Sequence, residues 1–177
     1  MQYQISYFSP GGYAESLTKA FCRHLPGDTY VSSLEREDTP YADIQLVGLD
    51  FAGTSLNAIP LSVMEYLDKL EEKTIFLFAT LPFQPNDVLE RRVHNNLQAF
   101  LPRSCDFRGL YLCPAQPPEA LLEELKAVIS QHPENSRAQY WLDRCREAVG
   151  HPDKADLQGA CQFMKHVLQL QGTAGKE

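Results

Sequence analysis

The 177-residue chain has one tryptophan, no C-x-x-C pair and no apolar stretch near the roughly 18 residues of a membrane span. Its five cysteines (Cys22, Cys105, Cys113, Cys145 and Cys161) are odd in number and scattered, so they support neither a zinc site nor a disulfide framework. Reduced thiols in a cytoplasmic protein are the expected state. Basic residues are scarce, 16 Lys and Arg against 23 Asp and Glu, and the net charge of −7 argues against nucleic acid as a partner. The N-terminus has no basic segment followed by an apolar one, so no signal peptide is read and no membrane contact is expected. Also missing are G-x-x-x-x-G-K-[ST], G-x-G-x-x-G and G-x-S-x-G. Their absence excludes a P-loop nucleotidase, a dinucleotide fingerprint and a hydrolase elbow. No residue is assigned a catalytic or metal-ligating role, and Cys113 reads as a small core residue.

What is present is alternation. Apolar runs suited to buried parallel strands fall at Ile5–Phe8, Ile44–Val47, Ile75–Ala79 and Leu110–Cys113, with a weaker one at Thr29–Ser32. Helical periodicity lies between them. It runs through Leu17, Phe21 and Leu25; through Val63, Leu67 and Leu70; through Leu89, Val93 and Leu97; and through Leu121, Leu125 and Val128. Such alternation is the signature of an open parallel α/β sheet. After residue 132 it stops, and residues 133–170 read as two further helices separated by Gly150-His151-Pro152. Asp153 is the N-cap of the second, with Asp156 three positions on. His151 reads as a turn residue. A single domain over residues 1–170 is therefore expected, with a core over 1–132 and a flexible tail at 171–177.

The stretch Ser9-Pro10-Gly11-Gly12-Tyr13-Ala14-Glu15 follows the first strand and runs straight into a helical pattern. A strand, a glycine-rich turn and a helix start can hold a phosphate through backbone N–H groups and the positive end of the helix dipole. No Lys or Arg occurs before Ser16, so such a phosphate would rest on backbone donors.

These residues resemble the T/S-x-T-G-x-T turn of the flavodoxin-like family. Ser9, Gly12 and Glu15 agree with the pattern, whereas Gly11 and Ala14 stand where hydroxyls are usual. A second matching region is Asp50-Phe51-Ala52-Gly53, at the end of the third strand. A third is Thr80-Leu81-Pro82-Phe83, after the fourth. The resemblance implies a five-stranded parallel sheet in the order 2-1-3-4-5, helices on both faces and two extra C-terminal helices. It also implies one FMN at the C-terminal edge, held by Ser9, Pro10, Gly11, Gly12, Tyr13, Ala14, Glu15, Asp50, Phe51, Ala52, Gly53, Thr80, Leu81, Pro82 and Phe83. In that scheme Phe51 covers one face of the flavin ring and Phe83 supplies a second aromatic; each reads equally as a packing residue. The two C-terminal helices resemble those of a bacterial branch whose members accompany flavin-dependent reductases, including those that reduce bilirubin.

The implied function is an electron-transfer flavoprotein, an oxidoreductase component passing electrons to a partner reductase or other acceptor rather than a stand-alone enzyme. Acidity would disfavour further charge on the flavin and so suit a low-potential donor. Two alternatives stay open at this point. One is a flavodoxin-like accessory subunit without FMN, suggested by the hydroxyls missing at Gly11 and Ala14. The other is an FMN-dependent NAD(P)H:quinone-type reductase, although no nicotinamide site is recognisable. A receiver domain would use Asp50 as phosphoacceptor, but the acidic pair and lysine that it needs are absent.

Overall fold

The apolar runs form five strands, seen in a computed structural model that describes residues 1–170. They are β1 (Tyr3–Phe8), β2 (Thr29–Ser33), β3 (Ile44–Asp50), β4 (Thr74–Leu81) and β5 (Asp106–Pro114). All pair in parallel, in the order β2-β1-β3-β4-β5. The central position of β3 and β4 follows from their composition. IQLVGLD and TIFLFATL are apolar on both faces, and every residue of the two strands except Thr74 is buried. The tail expected at 171–177 lies outside the described residues.

Six helices cover the sheet: α1 (Tyr13–Cys22), α2 (Leu61–Asp68), α3 (Asp87–Gln98), α4 (Glu119–Gln131), α5 (Ser136–Glu147) and α6 (Lys154–Val167). Side chains start three of them. The Asn86 carbonyl oxygen accepts from Leu89 N–H at 3.0 Å, and Asn135 accepts from Ala138 N–H at 3.0 Å. Asp153 caps α6 in a reciprocal box with Asp156. His151 Nδ1 lies 2.6 Å from the Asp156 carboxylate, so its role is to steady that cap.

Two apolar cores form, one per face. On one, Leu17 and Phe21 of α1 and Ala160, Cys161 and Met164 of α6 enclose Ile5, Leu46, Phe76 and Phe78. On the other, α2 and α3 pack against Val47, Leu77 and Ala79, joined by Leu125 of α4 and by Trp141 and Leu142 of α5. The C-terminal extension therefore divides. The last helix, α6, lies beside α1 and over β5, whereas α5 packs on α4 at the opposite face.

The β2–β3 connection carries no helix, and a polar network takes its place. Ser32 Oγ donates to Asp38, as does Gln4 Nε2 at 3.1 Å. Ser6 Oγ donates to the Tyr66 hydroxyl at 3.0 Å, Tyr66 donates to Gln45 Oε1 at 2.9 Å, and Gln45 Nε2 returns to Gln4 at 3.0 Å. Burial pushes the Tyr66 phenol well above the ordinary range, so it remains a protonated donor. Tyr66→Phe removes one buried hydroxyl and leaves Gln45 Oε1 without its donor. A loss of about 1–3 kcal/mol is expected in denaturant unfolding, with an unchanged m value.

Candidate functional site

The C-terminal edge of a parallel sheet, where two connections depart in opposite directions, is where open α/β folds bind ligands. Here that point lies between β1 and β3, and the Ser9–Glu15 turn sits at it. Gly12 is the N-cap of α1 with φ of 79°, a left-handed conformation that favours glycine. Having no side chain, it leaves the first-turn N–H groups of α1 without a local cap.

A distant carboxylate answers them. Asp50, the last residue of β3, turns its side chain into the turn and is 9% exposed. Its Oδ2 accepts from the Ser9 hydroxyl at 2.8 Å and from Gly11 N–H at 3.0 Å. Its Oδ1 accepts from Ala14 N–H at 2.7 Å and from the Thr80 hydroxyl at 2.8 Å. Glu15 N–H completes the group by donating to Ser9 Oγ at 3.1 Å. A Cβ on Gly11 would lie 3.3 Å from Asp50 Oδ2 and 2.9 Å from the Tyr13 ring, so glycine is what allows this close approach. The Ser16 hydroxyl turns back to Gly12 C=O at 3.0 Å.

The structure thus brings Ser9, Gly11, Ala14, Glu15, Asp50 and Thr80 into one hydrogen-bonded group, with Gly12 shaping it. Pro10 is exposed on the turn and Tyr13 is half-buried beside Gly11. Ala52 is exposed and Gly53 half-buried in the following loop.

The two aromatic residues assigned to a flavin ring are placed differently. Phe51 is 5% exposed and belongs to the core under α2. Phe83 is fully buried, with its ring 4.9 Å from that of Trp141. Both rings are buried in the core, which corrects the expectation that either would stack on a ligand. Leu81 and Pro82 are buried with them. Sequence reasoning missed the cause, which is that α5 folds over this loop. Arg144 on α5 donates to the carbonyls of Gln84 and, at 2.9 Å, Pro85, and its own carbonyl accepts from Gln84 N–H at 3.0 Å.

Among the described residues one group of possible metal ligands comes together, His151, Asp153 and Asp156, and its carboxylates are already engaged in the α6 cap. No described helix is long and apolar enough to cross a membrane. The three buried cysteines are held as thiols: burial pushes the thiol of Cys145 up to about 11 and raises those of Cys113 and Cys161.

An open five-stranded parallel sheet in this order, with its site at the β1–β3 switch point, defines a doubly wound α/β protein of the flavodoxin type. The sequence profile of the flavodoxin domain family matches residues 4–165, and the chain belongs to that family. Among solved structures it is similar to a short-chain flavodoxin associated with a bacterial microcompartment, with a TM-score of 0.54 at 10% identity over 96% of this chain and 97% of that one. A flavodoxin from the domain Archaea (14% identity, 84% of this chain and 99% of that one) has a TM-score of 0.46. One from Streptococcus pneumonia TIGR4 (15% identity, 84% and 100%) has the same score. At these identities the likeness concerns the fold alone. No curated protein sequence matches.

FMN, the cofactor that the family resemblance implies, needs a seat for a phosphate and a face for a ring. Three donors of the turn, the Ser9 hydroxyl and the Gly11 and Ala14 N–H groups, are engaged by Asp50, and both phenylalanines are buried. The residues as they stand do not fit FMN.

Two outcomes check this geometry. Trp141→Ala should cost about 3–5 kcal/mol of stability in denaturant unfolding, because it strips the packing from Phe83. A thiol-labelling time course at pH 8 should modify the half-exposed Cys22 and Cys105 first, and Cys113, Cys145 and Cys161 only on unfolding.

Proposed function

We propose that this flavodoxin-family chain acts as an FMN-free accessory protein, docking onto a flavin-dependent reductase or a similar redox partner instead of carrying the electron itself. The observation that carries this reading is the closure of the ring end of the site by the protein's own α5, with Phe83 sealed under Trp141. The same end of the sheet is sticky on its outside. Leu61 at the start of α2 is 65% exposed, Val88 at the start of α3 is 61% exposed, and Tyr140 beside Asn86 is 42% exposed. Exposed apolar side chains around a closed site suit a protein partner better than a small ligand.

Electron carriage with one FMN at the C-terminal edge is the second reading. It is favoured by the convergence of the Ser9, Gly11, Ala14 and Thr80 donors on a single anionic group. It requires the Asp50 carboxylate to leave that place. Bound FMN would supply the redox chemistry, and the turn would only orient its phosphate.

An absorption spectrum of the purified protein, followed by a fluorescence titration with FMN, decides between the two. The accessory reading expects a colourless protein and an FMN dissociation constant weaker than about 100 μM. Stoichiometric retention of FMN would overturn it in favour of electron carriage.

A further inference from the structure

We infer that Asp50 is the residue that closes the phosphate seat of this chain. Its carboxylate stands in for the phosphate of a ligand, and it excludes phosphate monoesters from a turn that is otherwise built to hold one. The inference deepens the accessory reading, on which it rests for the absence of FMN.

The geometry is that of a bound anion rather than a simple helix cap. A capping side chain satisfies one or two first-turn N–H groups of its own helix. Asp50 instead accepts four hydrogen bonds, two on each oxygen, from three separate elements: the turn (Ser9, Gly11), α1 (Ala14) and β4 (Thr80). All four distances lie between 2.7 and 3.0 Å, so each is a well-formed hydrogen bond to the carboxylate. The position is also the N-terminus of a ten-residue helix, where the dipole favours negative charge.

A phosphate dianion entering here would meet the same donors already taken and a like charge within a few ångströms. The tether favours Asp50 further. Its carboxylate is carried on a buried strand, so its local concentration at the turn greatly exceeds that of a free ligand. Gly11 fits the same arrangement, because a Cβ there would lie 3.3 Å from the carboxylate oxygen.

Asp50→Ser tests the assignment, and Asp50→Asn, which keeps the side chain's shape, guards against loss of the fold. Each is compared with the wild type in thermal unfolding, in inorganic phosphate and in chloride of equal ionic strength, and in FMN fluorescence titration. The wild type should show only the small general stabilisation that phosphate gives over chloride, and the variants are read against it. Asp50→Ser should melt lower in chloride and recover several degrees in phosphate, which now fills the vacated seat and stabilises by binding. Its FMN affinity should rise at least ten-fold over the wild type. Asp50→Asn should move in the same direction by less.

If neither variant responds to phosphate, or if FMN binds all three proteins alike, the assignment is overturned. If the wild type binds FMN and Asp50→Ser binds it ten-fold tighter, Asp50 competes for the seat without excluding a phosphate monoester, and both the exclusion and the accessory reading are overturned. If the wild type ignores FMN and the variants ignore phosphate, only the assignment to Asp50 falls. If phosphate rescues the variants while the wild type ignores FMN, both stand.

Discussion

One carboxylate ties the upper end of this molecule together. Asp50 reaches from the most buried strand to the turn after β1, the first turn of α1 and the end of β4, and each of these gives it a donor. Without it the buried Ala14 N–H of α1 and the Gly11 N–H of the turn would lose their acceptor. With it, three neighbouring strand ends are held in one register at the point where the sheet reverses direction. The arrangement replaces ligand by protein: the interaction that a doubly wound fold ordinarily offers to a guest is satisfied internally.

The ring end of the same edge is closed by different means. There the closing element is apolar, with Trp141 lying against Phe83, and Arg144 fastens the cover by binding the carbonyls of Gln84 and Pro85. A carboxylate and an apolar contact thus act at two places on the C-terminal edge of the sheet, and each arises from a different part of the chain. The C-terminal extension gains a purpose in this light. Helix α6 completes the layer beside α1, while α5, packed on α4, covers the Phe83 loop.

Much of this architecture was legible in the residues. The five apolar runs mark the strands to within a few positions, because β3 and β4 are buried on both faces and admit few polar residues. Asp153 marks the start of α6 because capping is local and needs only three neighbouring residues. The role of Asp50 was not legible, because it bonds to groups 30 to 41 positions away, a separation that no local pattern encodes. A hint existed in an acid ending an apolar strand while the first helix opened on Gly12 with no capping side chain. Phe51 and Phe83 misled because a buried aromatic and a ligand-stacking aromatic look alike in sequence. Only the position of α5 separates them.

The network around Asp38 has a consequence for how the molecule breathes. Strand β2 is the one strand at an edge with no helix leading from it to its successor, and its hold on the sheet depends on the pairing with β1 and on Ser32, Asp38 and Gln4. Polar side-chain bonds stabilise less per residue than the apolar packing under α1 and α6. The amides of β2 should therefore exchange with solvent hydrogen through a local opening, well before those of β3 and β4, whose release requires the whole domain to unfold. The sheet then has a soft margin and a rigid centre, and Asp50 belongs to the rigid part.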